Sequence, residues 1–401
     1  MMHQSVSKIL VLTDYKIVSE QGAAFERLRC YNLAHQNSEW NFVIHDKEWK
    51  VTAQKRPLTR MPKAWFLIEE SNRTSSKFYS MVGKYLDFVS PWKTISEIIN
   101  LELDAKQVLI YTSNFYLLLW ALIRLQWMQK RALVIEKNEM EFAIILNQFS
   151  LRSISGFLLS ITILPFRLVL AIVMDMLTCL GSKIISISTS IHRLYGSKSV
   201  LIPILVDLNR FTISKKVITN SVPRGVYIGE ITLKKDGLFE WVELLASSRC
   251  PFHVDIIGNG TKANRMALQQ TISRCGLDDR IHLLDSITAK EIENILPSYD
   301  FSILLRKSNF QTRYGFSTKL GEYLAADLLV FYTDVSDNSI YLGNSSQVML
   351  DMTNHEGSIK RWDESIQNLI ARGRNVGESR EIARSHFDYS NYKNELNAIF
   401  N

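Results

Sequence analysis

The sequence predicts an α/β protein built from two doubly wound, Rossmann-like parallel sheets that face one cleft. Three observations predict it: 401 residues exceed what one hydrophobic core ordinarily supports, apolar residues make up 46% of the chain, and short apolar runs alternate with helical stretches twice over. At 22% charged residues, a disordered chain is excluded.

The first half opens with the apolar run KILVLTDY (8–15), a polar loop containing Gly22, a helical stretch at 23–35 and a second apolar run at 40–45. Strand, loop, helix, strand is how a parallel layer begins. The pattern recurs at QVLIYTS (107–113), ALVIEKNEME (132–141) and KIISIST (183–189). Between 50 and 105 it is weaker; 65–68 reads as a strand with helices on either side. The second half starts again at RGVYIGEI (224–231) and continues through FHVDIIGNG (252–260), RIHLLDS (280–286), DFSILLR (300–306) and LLVFYTD (328–334), with helices between them. The expected division is 1–205, 206–385, and a closing segment, 386–401, whose helix crosses back to the first domain. Ligands of such sheets bind beyond the carboxyl ends of the strands, here at the cleft.

One stretch breaks the pattern. GFLLSITILPFRLVLAIVMDMLTCLG (156–181) approaches a membrane span in length, but Pro165, Arg167 and Asp175 interrupt it. A single crossing would put the strands before and after it on opposite sides of a bilayer. Two readings remain: an apolar helix or helix pair on the inner face of a membrane, and an ordinary core helix pair.

The formal charge of +7 favours anionic partners. No aromatic RNA-binding motif, zinc-finger spacing or basic tract stands out, so nucleic acid is not an expected partner. The cysteines, Cys30, Cys179, Cys250 and Cys275, are scattered and read as reduced thiols. No signal peptide is read at the start, and the expected location is cytoplasmic.

The densest chemical signal is FSTKLGEYLAADLLVFYTD (316–334). Ser317 or Thr318 is placed to cap a helix whose first N–H groups would face phosphate; Lys319 adds a full charge, and Glu322, one turn on, suits ribose hydroxyls. Upstream, the strand of DFSILLR ends in Arg306 and Lys307. Two further glycine turns, at Gly229 followed by Lys234 and Lys235, and at Gly258 and Gly260, end strands of the same sheet. Glycine turns with basic residues suit a nucleotide diphosphate. In the first half, EKNEMEF (136–142) puts Glu136 and Glu139 at a strand end, where a carboxylate could orient or deprotonate an acceptor hydroxyl. No DxD motif stands at a strand end, so neither a metal nor a cofactor is expected.

These motifs resemble, in the same order, those of the retaining GT-B glycosyltransferases of family 4. VLIPILVDLNRF (200–211) is similar to the interdomain signature IPNGVDxxRF, with Ile204 and Leu205 in place of Asn-Gly. YIGEI…KKDGL, IIGNG and STKLGEYLAADLLV resemble the family's nucleotide-site motifs, and GAAFERLRCYNLA (22–34) its N-terminal glycine loop. The resemblance implies a GT-B fold and a nucleotide-sugar-dependent transferase without a metal. It implies that Glu322 binds ribose, that Lys235 holds the donor diphosphate, that Ser317, Thr318 and Lys319 form the phosphate-facing helix start, and that Gly22 lies in the closing loop. Three positions depart from it: Glu230 stands where the family has arginine, Tyr314 replaces the first acid of the E-x7-E pair, and Asp327 and Leu329 replace the glycine and proline of the AGxPV turn. Arg306 is the candidate for the missing charge. The expected reaction moves a sugar from a UDP- or GDP-sugar to a lipid-linked or polysaccharide acceptor at the inner face of a membrane, in surface-polysaccharide synthesis. The alternatives are an inert GT-B scaffold subunit and a nucleotide-sugar epimerase.

Overall fold

Sixteen strands collect into two large sheets and one short ribbon in the computed structural model of the chain, which describes residues 7–13, 22–36, 38–44, 49–50, 56–57, 60–61, 64–66, 69–70, 105, 107–113, 115–148, 154–212, 222–232, 235–373 and 375–400. The loop at 14–21, His45, the helices expected around the strand at 65–68, and Lys234 lie outside the described residues.

The first sheet uses β1 (Ser7–Thr13), β2 (Ser38–Ile44), β4 (Arg56–Pro57), β5 (Ala64–Phe66), β7 (Gln107–Tyr111), β8 (Ala132–Lys137), β9 (Lys183–Ser186) and β10 (Ser199–Leu201). Their order is β10-β9-β8-β7-β1-β2-β5-β4, parallel except for β4 against β5. The ribbon pairs β3 (Trp49–Lys50) with β6 (Glu69–Glu70). The second sheet has β11 (Arg224–Ile228), β12 (His253–Ile257), β13 (Ile281–Leu284), β14 (Phe301–Leu304), β15 (Leu329–Tyr332) and β16 (Val348–Met349), ordered β13-β12-β11-β14-β15-β16 and parallel throughout. Continuous apolar runs form these strands because helices cover both faces, leaving no polar side for an alternating pattern. The strand order reverses between β1 and β7 in one sheet and between β11 and β14 in the other. Those reversal points are where ligand crevices form in such sheets.

Each sheet has its own core. Ile9–Leu12, Trp40 and Phe42 anchor the first; Trp241, Phe252, Phe301 and Phe331 converge edge-on or tilted on Trp362 in the second, with ring centroids 4.4–5.8 Å apart. A third cluster crosses between the halves, packing Met140, Ala143, Ile187 and Ile191 against Phe316, Leu320 and Tyr323. Ile204 belongs to this cluster, and a Cβ on Gly321 would sit 3.5 Å from its Cδ1. Isoleucine at 204 therefore packs the connection against the helix Thr318–Ala325. The last helix, Lys393–Phe400, returns to the first sheet: Leu396, Ile399 and Phe400 are buried in its core, and Lys183 Nζ donates to the Ala398 carbonyl at 2.8 Å.

The apolar stretch forms one helix, Ile154–Thr178, running through Pro165. Ala171, Met174, Asp175 and Thr178 face inward, while Phe166, Val169, Ile172, Val173 and Met176 line an outer face. Gln126 Nε2 donates to the Leu180 carbonyl at 2.7 Å, bringing the π-helical segment Leu122–Met128 alongside. Trp127 is 70% exposed, Phe166 71% and Met176 66%, so the outer face is not core. No described helix is long and apolar enough to cross a membrane.

Asp327, which replaces the expected glycine, has φ of 65°. Its carboxylate accepts from the Gly377 and Arg380 amides at 2.7 and 3.2 Å, capping the helix Glu378–His386. That bonding offsets the strain an aspartate meets where glycine is the easier choice.

Candidate nucleotide-binding site

The pocket at the reversal point of the second sheet is built by strand ends. Gly229 follows β11, Gly258 follows β12 and Arg306 follows β14. The first two turns interlock, since the Gly229 amide donates to the Ile257 carbonyl at 3.1 Å and the Ile231 amide to the Asn259 carbonyl at 2.7 Å. A Cβ on Gly258 would come within 1.7 Å of the Gly229 carbonyl oxygen, so only glycine admits this approach. Gly260 is bridged to Ile231 on the same seam. Across the pocket, Asp236 is bridged to Arg306, and the Lys307 amide donates to the Lys235 carbonyl at 3.1 Å. These backbone bonds bring Gly229, Lys235, Arg306, Ser317 and Lys319 into the lining of one cavity.

Ser317 holds the N-cap position of the helix Thr318–Ala325, but no side chain caps it, which corrects the expected hydroxyl cap. The Ser317 hydroxyl is buried at the pocket wall beside Thr318, the first helical residue. Lys319 Nζ pairs with Glu322 Oε2 at 2.7 Å. Burial alone would raise the Glu322 carboxyl; Lys319 and Arg210 outweigh it and hold the group below its ordinary range. Glu322 is therefore a charged acceptor at working pH. Arg210 is the residue that sequence reading passed over. It lies in VDLNRF, reaches Glu26 of the first half at 3.0 Å and Glu293 of the second at 2.8 Å, and stands close enough to Glu322 to bias its charge. Its place in that motif was the available signal.

The acids of the pocket temper its positive charge. Burial pushes the Asp236 carboxyl above its ordinary range, against the opposing pull of Arg306 and a hydrogen bond with Tyr227. Glu230 is exposed at the rim, and its carbonyl accepts from the Tyr227 hydroxyl at 3.1 Å.

On the opposite side, Glu136 and Glu139 part company. Glu136 stands one residue before the end of β8, and its carboxylate is fully buried rather than facing the cleft. It pairs with Arg27 Nε and accepts from the Tyr31 hydroxyl at 2.6 Å. Arg27 also donates to the Pro203 and Ile202 carbonyls at 2.6 and 2.8 Å, tying the first helix, Ala23–Ala34, to the interdomain connection. This knot is structural. Glu139, three residues on, does reach the cleft: Oε1 lies 3.1 Å from Lys235 Nζ and Oε2 accepts from Gln311 Nε2 at 3.1 Å. Gly22 caps the first helix at φ 89°, ψ 167°, a conformation open to glycine, with no atom within 4 Å of a would-be Cβ. Among the described residues, no group of three or more His, Cys, Asp or Glu is arranged to hold a metal ion.

Two facing doubly wound domains with a crevice at their strand ends define the GT-B fold, and solved structures share it over nearly the whole chain. The sucrose-phosphate synthase from Thermosynechococcus elongatus superposes with a TM-score of 0.69 at 10% identity, covering 98% of each chain. A glycosyltransferase from Rickettsia africae gives 0.64 at 14% identity over 98% of this chain and 97% of its own. Anabaena HepE in complex with UDP-glucose gives 0.64 at 14% identity over 98% of each. No family model matches the sequence, and no curated protein matches it.

Proposed function

We propose that this protein is a glycosyltransferase that takes its sugar from a UDP- or GDP-sugar held in the second-half pocket. The observation that carries the reading is the convergence of two interlocked glycine turns, Lys235, Arg306 and Lys319 at the β11/β14 reversal point, beside the ionised Glu322. The cations and the uncapped helix start at Ser317, Thr318 and Lys319 neutralise the diphosphate, both when bound and when it leaves. Gly258 and Gly260 let backbone approach the nucleotide, and Glu322 accepts from ribose hydroxyls. Arg306 supplies the charge that Glu230 lacks. In solved structures of the same fold, HepE is complexed with UDP-glucose and the trehalose-6-phosphate protein from E. coli with UDP-2-fluoro glucose, which supports a uridine or related nucleotide here. The resemblance to family 4 supports a metal-independent mode in which the anomeric configuration is retained, the leaving diphosphate assists the incoming hydroxyl on the same face, and domain closure excludes water.

The acceptor is a hydroxyl of a lipid-linked or polysaccharide chain, presented by the first half at the inner face of a membrane during surface-polysaccharide synthesis. The exposed apolar face of the helix Ile154–Thr178, extended by Trp127 and Met128, supports that placement. Flotation with liposomes of phosphatidylcholine, with and without phosphatidylglycerol, tests it. Binding is expected and should fall when Phe166 and Met176 are replaced by serine; no binding to either liposome rejects the membrane placement.

Calorimetric titration with UDP, GDP, ADP and CMP tests the donor site. One nucleotide should bind selectively, and Glu322→Ala should weaken it by roughly 10- to 100-fold through lost ribose hydrogen bonds. A folded protein that binds none at millimolar concentration rejects the transferase reading.

A further inference from the structure

Glu139 and Lys235 come from opposite halves of the protein, on the loop after β8 and on the turn after β11, and meet across the cleft at 3.1 Å. The contact is braced from both sides. Gln311 Nε2 donates to the second carboxylate oxygen at 3.1 Å, and Asn147 Nδ2 of the first half donates to the Gln311 side-chain Oε1 at 2.9 Å. The side chain runs along Gly315, where a Cβ would lie 3.3 Å from Glu139 Cγ. The carboxylate thus lies just ahead of the helix start that faces the pocket.

Lys235 is also the cation assigned to the donor diphosphate, and a carboxylate already seated on that ammonium competes with the incoming phosphates, because the two anions repel each other at such close range. The side chains are 33% and 30% exposed, so water screens the pair, and its strength is that of an exchangeable contact rather than a buried one. A diphosphate brings more charge and more acceptor oxygens than a carboxylate, and Arg306 and Lys319 draw it to the same cavity.

We propose that Glu139 is an internal stand-in for the donor's phosphate, a latch between the halves that a nucleotide diphosphate displaces from Lys235. The inference rests on the donor-site reading above. Displacement leaves a carboxylate at the cleft wall, freed only after the donor has bound, and available to accept from the acceptor hydroxyl. Donor binding then precedes productive acceptor binding, because until then the carboxylate is engaged with Lys235 and Gln311.

Titration of the full-length protein with UDP, GDP and the corresponding nucleosides, wild type against Glu139→Gln, tests the latch. Thermal melts check that both proteins are folded. The amide keeps the shape and loses the charge, so the nucleoside diphosphate should bind about fivefold tighter, equivalent to about 1 kcal/mol, while the nucleoside is unchanged. Glu139→Asp, whose shorter carboxylate falls short of Lys235, should shift in the same direction and serves if the amide variant melts early. Diphosphate binding that is unchanged or weaker overturns the latch while leaving the donor site standing. Equal tightening of nucleoside and diphosphate also overturns it, since phosphate displacement would not be the cause. A wild-type protein that binds no nucleotide overturns the donor-site reading itself.

Discussion

Two carboxylate–cation pairs in this protein use the same chemistry three residues apart and do opposite things. The Glu136–Arg27 pair is sealed inside the first half, with Tyr31 and two carbonyls of the interdomain connection completing its bonds. The Glu139–Lys235 pair lies across the cleft and is partly open to water. Burial decides the difference. A sealed pair is costly to break because the partner left behind is an uncompensated charge, whereas a screened pair can trade one anion for another.

The comparison is broken most directly at Glu136. Replacing it with alanine strands the Arg27 guanidinium, and a loss of about 3–5 kcal/mol is expected, read as a large fall in the denaturation midpoint. Glu139→Gln should barely move that midpoint. Equal effects from the two variants would mean that the pairs are not different in kind.

A third acid sharpens the contrast. Glu141 opens the next helix, where burial, helped by Asp175 and opposed by Lys137, pushes its carboxyl up to about 7. Asp175 itself accepts from the Glu141 and Phe142 amides at 3.2 and 3.1 Å and pairs with Lys137 at 2.7 Å. A carboxyl raised in the folded state holds its proton more tightly there than in the unfolded chain. Its contribution is therefore fully present below the ordinary carboxylate range and is lost as pH rises through about 7. Glu141→Gln should remove that loss, leaving the variant more stable than the wild type at pH 8 by an amount on the order of 1–3 kcal/mol, with the gap closing at pH 5. Denaturant melts at the two pH values measure it, and identical pH slopes would refute the assignment.

Much of this was legible beforehand. Strand positions followed from apolar runs, since a strand covered on both faces must be apolar along its length; β1, β8, β11 and β14 fall within a residue or a few of where the runs put them. The gathering of Gly229, Gly258 and Arg306 along one sheet edge was also readable, because residues just past strand ends of a doubly wound sheet are brought to one edge by the fold itself. What the residues could not reveal was partnership. Nothing in EKNEMEF distinguishes a carboxylate that turns inward to Arg27 from one that reaches Lys235. Nothing local said that Arg210 would stand near Glu322, that Ser317 would leave its helix uncapped, or that Pro165 would be carried inside one continuous helix.

The division has a physical cause. Periodicity, turn chemistry and the order of motifs are properties of neighbours in the chain, so the sequence by itself determined two parallel sheets, their strand-end glycines and the basic character of one edge. Whether a charge is sealed, screened or shared depends on which distant segments fold over it. That was decided by the tertiary structure, which buried Glu136 among Arg27, Tyr31 and the interdomain connection and left Glu139 facing a lysine nearly a hundred residues away, 96 positions along the chain.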